Sequence, residues 1–292
     1  MVKLCITFSV VLRVSEGKIL VLKMFMDSSD YIYNFTGKLS KTILLIEAPE
    51  LEFLFRPVKG FFKPVRITPP LSGYRSIIPV YELENGNWVL KPVMLRGEYI
   101  VEIGADNNTV NLLYNRFKQL EGVKTRFKFE NTVVSYVVEN ISIQTPDLHV
   151  DSTITVKTIS PALIPHPLVP TQHIRRFTTS PGSLLWIPYM INHGNLSYNQ
   201  QDVAKAVLEL ETCFAEHYST KQKTIFINYD NKREPALQIK AKYIVLTKER
   251  KCEEIVWSIL RTARIYGIGA SRVNGFGSIM IETPMKQRIG GG

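Results

Sequence analysis

Scarcity narrows the chemistry of this chain before any motif does. Its three cysteines, Cys5, Cys213 and Cys252, lie far apart and form no C-x-x-C pair, so neither a zinc spacing nor a disulfide framework is suggested. The five histidines, His149, His166, His173, His193 and His217, show neither HExxH nor HxH spacing, and none precedes His149. No metal and no cofactor is therefore expected. No apolar run reaches the roughly 18 residues that a membrane-spanning helix needs, so no membrane partner is expected. The opening MVKLCITFSVVLRV alternates and is interrupted by Thr and Ser, which reads as a strand rather than a leader. These absences together make the cytoplasm the expected compartment. The remaining scarcity is of negative charge: 26 Asp and Glu stand against 36 Lys and Arg, a formal net charge of +10.

That excess favours a polyanionic partner, because each Lys or Arg that neutralises a phosphate releases counterions. Otherwise the composition is ordinary for a globular protein, with 45% hydrophobic and 21% charged residues. The length of 292 residues suits two domains of common size.

Hydrophobic periodicity orders the elements. Lys3–Val14 reads as a strand, and Asp27-Ser28-Ser29-Asp30 offers helix N-caps for a helix running through Leu39. A β-rich stretch follows in LEFLFRP, FFKPVRITPPL, YRSIIPVYE and WVLKPVML, with a hairpin turn at Glu84-Asn85-Gly86-Asn87. Glu98–Gly104 is a strand, Asn107–Glu121 a helix, and Val123–Ile143 returns to strands. Thr145–Asp151 reads as a linker. Beyond it come a strand at Thr153–Ile159, the loop PALIPHPLVP, and a helix at Leu184–Ile191 that Pro188 interrupts. An amphipathic helix spans Asp202–Tyr218, strands occupy Thr224–Tyr229 and Leu237–Leu246, the strongest helix is Glu249–Tyr266, and Gly275–Glu282 closes as a strand. Strand–helix–strand–strand–helix–strand read twice is the ferredoxin-like, RRM-like pattern. The expected class is α+β, with βαββαβ domains at 1–147 and 148–292.

The most specific motif is GIGASRVNGFG, whose Gly267, Gly269, Gly275 and Gly277 form G-x-G-x5-G-x-G between a helix and a strand. A dinucleotide fingerprint or P-loop follows a strand and opens a helix, the opposite order. One glycine suffices for a helix C-cap; four allow close approach of another backbone and an anion-binding concavity, to which Arg272 adds charge.

A C-terminal loop of this form resembles the signature of the repeat-associated RNA-binding (RAMP) superfamily of CRISPR systems. Within it the chain is most similar to the sixth Cas family, the endoribonuclease that cuts CRISPR precursor RNA at each repeat. FKPVRITPPL, KTISPALIP, RRFTTSPGSLLWIP and IVWSILRTARIYGIG carry weaker likeness. The resemblance implies tandem ferredoxin-like domains, a CRISPR repeat RNA (pre-crRNA) as partner, and metal-independent cleavage by the substrate's own 2′-OH, leaving a 2′,3′-cyclic phosphate and a 5′-OH. It also admits a homodimer, other subunits of a CRISPR effector complex as partners, or a non-catalytic RNA-binding paralogue or structural subunit in place of the enzyme.

Many members of that family place a histidine in the first domain. This chain has none there, so it resembles the histidine-less archaeal branch, in which lysines and an arginine are implicated. The matching position before the proline of FKPVRITPPL is Lys63; Tyr31, Tyr33, Lys38 and Lys41 lie in the first helical segment, and Lys232 and Arg233 in the second half. Lys63, Tyr31 or Tyr33, and Arg233 are the expected catalytic groups. A lysine of ordinary pKa is neutral in roughly one molecule in 2,500 at pH 7, so Lys63 suits charge stabilisation or protonation of the leaving oxygen. Expected RNA contacts are the four loop glycines, Arg272, Arg175 and Arg176 before a helix start, and Lys124, Arg126 and Lys128, which alternate on one strand face. For Lys63 and for that stripe the plainer reading is an ordinary solvated surface.

Overall fold

A computed structural model describes residues 17–56, 58, 60–148, 152–169, 174–246 and 250–283. The expected strand at Lys3–Val14, together with His149 and His173, lies outside them. Strand β1 (Lys18–Ser28) is the middle of the first sheet and alternates buried with exposed side chains over its second half. Asp27 and Ser28 complete this strand instead of capping a helix: Asp27 pairs with Arg96 and Ser135, and Ser28 with Val134. The first helix, α1 (Gly37–Glu47), therefore begins about ten residues later than expected. LEFLFRP is not a strand either. Pro49–Leu51 is a 3-10 turn and α2 (Glu52–Phe55) a single helical turn, started by a proline and acidic residues at helix N-terminal positions.

The short strands β2 (Arg66–Ile67), β3 (Leu71–Ser72) and β4 (Arg75–Ser76) are followed by the hairpin β5 (Val80–Glu84) and β6 (Asn87–Lys91). Its turn has Asn85 at φ 49° and Gly86 at φ 82°, the conformation that an Asn-Gly pair favours. β7 (Arg96–Ala105), α3 (Asn107–Lys118), β8 (Lys124–Phe129) and β9 (Thr132–Gln144) complete the first half. Asp106 caps α3 through its carboxylate, which accepts from the N–H groups of Asn108 and Thr109.

The second half runs β10 (Thr153–Thr158), α4 (Pro181–Asn192), α5 (Gln200–Cys213), β11 (Phe214–Tyr229), β12 (Lys232–Val245), α6 (Arg250–Tyr266) and β13 (Ile279–Glu282). α4 continues through Pro188; it is buried on nearly all sides, so packing outweighs one missing N–H. α5 stops at Cys213 and passes directly into β11, because pairing with β12 (Phe214 with Val245, Ala215 with Ile244) claims that backbone. β11 consequently starts ten residues before the expected Thr224, while the last strand is only Ile279–Glu282. The α5–β11 junction also brings Cys213 beside Cys252 of α6. The two are joined as a disulfide, Cα atoms 5.2 Å apart, against the sequence expectation of none.

The sheet orders are β4-β3-β7-β1-β9-β8, with β2 also on β7, and β13-β10-β12-β11-β5-β6. In each, the four strands of the repeat stand in the order 2-3-1-4 or its reverse, which is the tandem ferredoxin-like arrangement. Two large cores lie under the sheets, one around Leu22, Leu39, Ile103 and Phe117, the other around Leu185, Ile187, Tyr243 and Ile259. The β5–β6 hairpin crosses over: Val80 and Tyr81 pair with Ile227 and Phe226, so the first half extends the second sheet. Among the described residues no helix is long and apolar enough to cross a membrane.

A candidate phosphate site where the two halves meet

Besides the β5–β11 pairing, the halves are joined by three contacts around the end of α6 and the loop after it. Glu102, in the otherwise apolar core of β7, accepts hydrogen bonds from Arg66 Nη2 at 3.0 Å and from Arg264 Nη1 and Nη2 of α6 at 2.6 and 2.8 Å. Arg66 is 0% exposed, and its Nε donates to the carbonyl of Ile265 at 2.9 Å. Burial alone would raise the Glu102 carboxyl, but the Arg264 hydrogen bonds and the Arg66 charge outweigh it and hold the pKa at about 2. Burial lowers Arg66 itself to about 10, against the opposing pull of Glu102. The second contact is made by Arg272, 5% exposed, which donates to the carbonyls of Gly269 and Lys63, both at 2.8 Å. Burial lowers it, too, to about 10.

The third contact is glycine against glycine. Gly275 has φ +102°, and a Cβ there would lie 2.5 Å from Gly37 Cα at the start of α1. Phe276, next in the loop, stacks on Phe35 at 4.3 Å between ring centres. The loop is packed inside the protein: the N–H of Gly267 goes to Ala263 O, that of Gly275 to Arg272 O, and that of Gly277 to Pro161 O. Its one cation, Arg272, is committed to carbonyls.

What the loop meets is a group of lysines. Lys38 and Lys41 stand one turn apart on α1. Lys41 Nζ donates to Asn274 Oδ1 of the loop at 3.1 Å and lies 5.6 Å from the Phe55 ring centre of α2. Lys38 Nζ pairs with Asp230 and sits 4.7 Å over the ring of Tyr229. Asn274 Nδ2 donates to the Tyr229 hydroxyl at 2.8 Å. Lys63 Nζ reaches the carbonyl of Phe53 at 3.3 Å. Burial lowers the Lys41 pKa, and the neighbouring Lys38 adds to this against the pull of Asp230. Burial likewise lowers Lys63, with the charge of Lys41 adding to it. Two half-buried lysines that feel one another, with buried Arg272 held to the Lys63 carbonyl, form a place where positive charge is concentrated and a phosphate is favoured.

The other expected residues are placed as follows. Tyr31 and Tyr33 are 49% and 52% exposed on either side of Ile32, which bridges to Val93; the carbonyl of Tyr33 accepts from Asn228. Arg233 lies 4.8 Å from the Trp88 ring centre and 5.4 Å from that of Phe226, on the β5–β11 side of the second sheet. Among the described residues no hydrogen bond or ion pair joins any of these three to Lys41 or Lys63. Arg175 is paired with Glu234 at 3.0 Å, and Arg176 is exposed. Lys124, Arg126 and Lys128 are exposed in alternation along the edge strand β8, with Thr125 and Phe127 half-buried and Phe129 buried between them. Sequence reasoning chose Lys63, noted Lys41 without choosing it, and passed over Asn274 and Tyr229. Two signals pointed to them: the three-residue spacing of Lys38 and Lys41, and a lone amide in the variable five of the glycine motif. It also missed Arg66, Glu102 and Arg264, whose signal is a single acid inside the apolar run YIVEIGA.

An antiparallel α+β chain of two joined ferredoxin-like repeats, closed by a glycine-rich loop, is the class that this architecture defines. The chain shares its fold with solved Cas6 and RAMP structures. A Cas6 product complex superposes with a TM-score of 0.61 at 12% identity, over 91% of this chain and 100% of that one. A Cas6-related protein from Pyrococcus furiosus gives 0.57 at 13% identity, over 92% and 99%. A RAMP protein that binds different RNA substrates gives 0.55 at 12% identity, over 91% and 100%. No family model and no curated protein matches the sequence.

Proposed function

We propose that the protein is a CRISPR precursor-RNA endoribonuclease that cuts within repeats by attack of the substrate's own 2′-OH. The observation that carries this is the Lys41 amine held by Asn274 of the glycine-rich loop, near enough to Lys63 for the two charges to repel, with both pKa values lowered. The scissile phosphate lies between the neutral Lys41 amine and the Lys63 ammonium. Lys41, the more enclosed, accepts the 2′-OH proton in its neutral form. The 2′-oxygen then bonds to phosphorus, the P–O5′ bond breaks, and Lys63 gives its proton to the leaving 5′-oxygen. The products are a 2′,3′-cyclic phosphate and a 5′-OH. Arg272, fixed to the Lys63 carbonyl, holds that segment against the loop.

In this reading Lys124, Arg126 and Lys128 take phosphates farther along the strand, with Arg176 beside the loop before α4, while Arg175 is held by Glu234. The glycines serve RNA binding indirectly, by letting the loop lie against α1. The test is a pair of single-turnover assays on repeat RNA in EDTA. Lys41→Ala and Lys63→Ala should each lose at least roughly tenfold in rate while binding RNA almost as wild type does. Unchanged rates in both variants would refute the assignment. The competing reading, a subunit that binds repeat RNA without cutting it, draws on the placement of Tyr31, Tyr33 and Arg233 outside the lysine pair; wild-type binding with no cleavage of any repeat RNA would establish it.

A further inference from the structure

The glycine-rich loop brings the Asn274 side chain to the Lys41 amine. Its amide is held at both ends, by Lys41 Nζ on Oδ1 and by the Tyr229 hydroxyl on Nδ2. The orientation is fixed by chemistry. An ammonium offers only donors, so the amide must face Lys41 with its oxygen. The amide nitrogen is then a donor, and the Tyr229 oxygen must accept from it. Tyr229 is itself anchored, by Lys38 over its ring and by an edge-on contact of its ring with Phe276 at 5.3 Å. A chain of contacts therefore runs from the β11 end through the loop to α1, touching both halves of the molecule.

We propose that Asn274 is a positioning residue that aims the Lys41 amine at the attacking hydroxyl, and that Tyr229 locks the Asn274 amide in the orientation that does so. The inference rests on the assignment of Lys41 to proton transfer. It gives the glycines a purpose: Gly275, against Gly37, sets the neighbouring Asn274 within reach of α1. The groups that face Lys41 are Lys38 on its own helix, Lys63 from the loop after α2, Asp230 from the β11–β12 turn, the ring of Phe55, and Asn274 itself. Asn274 is the uncharged member that accepts a hydrogen bond from its amine.

The isosteric change Asn274→Asp places a carboxylate where the amide oxygen is. An opposite charge at that range raises a lysine pKa by about one to three units. The experiment follows the Lys41 side chain by NMR titration of the full-length protein, with the pH profile of single-turnover cleavage measured alongside. Asn274→Asp should raise the Lys41 pKa by about one unit or more and move the rising limb of the pH profile upward by the same amount. Asn274→Ala should cut the plateau rate by about tenfold with RNA affinity within about twofold, and Tyr229→Phe should do the same to a lesser extent. An Asn274 with a merely structural role would change the melting temperature and leave the Lys41 titration where it was, which would overturn the proposal. Full rate in Asn274→Ala, with Lys41→Ala inactive, would also overturn it. If Lys41→Ala cuts normally the proposed function fails, and the titration still decides separately whether Asn274 governs Lys41.

Discussion

Glu102→Gln keeps the shape of the side chain and removes its charge. Three hydrogen bonds from Arg66 and Arg264 then point at a neutral amide that can accept only part of them and whose NH₂ faces other donors. Arg66 is fully buried and cannot turn to water. Two estimates of the cost agree. Breaking a buried ion pair from one side costs about 3–5 kcal/mol. The carboxyl pKa, lowered from 4.5 to about 2, corresponds to about 3 kcal/mol of preference for the charged form in the folded state. Because the folded pKa is the lower one, this stability is present above the unfolded pKa and is lost as pH falls from about 4.5 toward about 2. Thermal melts of wild type and Glu102→Gln at neutral pH should differ on the order of 10 °C. Repeated toward pH 3, the gap should narrow, since wild type loses what the variant already lacks. A variant that melts within a degree or two of wild type at pH 7 would show that the triad does not hold the halves together.

Gly275→Val should lower both stability and cleavage, since its Cβ meets Gly37 Cα at 2.5 Å and its φ is +102°; a variant with wild-type melting and rate would show that the loop does not need its close approach to α1. Affinity for single-stranded repeat RNA should fall with salt, with a slope of roughly −0.7 per phosphate neutralised. The triple change Lys124→Ala/Arg126→Ala/Lys128→Ala should flatten that slope, and an unchanged slope would remove β8 from the RNA path.

The parts of the fold written in local pattern could be read from the sequence. Asn85-Gly86 announced its hairpin, the helical spacing of α6 its helix, and the element order the two ferredoxin-like repeats. What local pattern cannot carry is choice of partner. Nothing in VYELE says that β5 will pair with Ile227 and Phe226 of the other half. Cys213 and Cys252, 39 residues apart, meet only because α5 hands over to β11 at that point. The site was half legible for the same reason. Lys63 was accessible through its place before Pro64, whereas Lys41, noted beside Lys38, takes a role only once α1 is known to begin at Gly37 and to rest on the loop. Arg272 looked like a phosphate ligand in sequence; its burial follows from two carbonyls, one of them Lys63's, that only the folded chain brings to it.

The most direct test of the account is cleavage of a repeat RNA carrying a single 2′-deoxyribose just 5′ of the cut, beside the all-ribose strand, in EDTA. The account predicts that the all-ribose RNA is cut to a 2′,3′-cyclic phosphate and a 5′-OH, and that the deoxy RNA is bound equally well and left whole. Cleavage of the deoxy strand at the same bond and at a similar rate would contradict it.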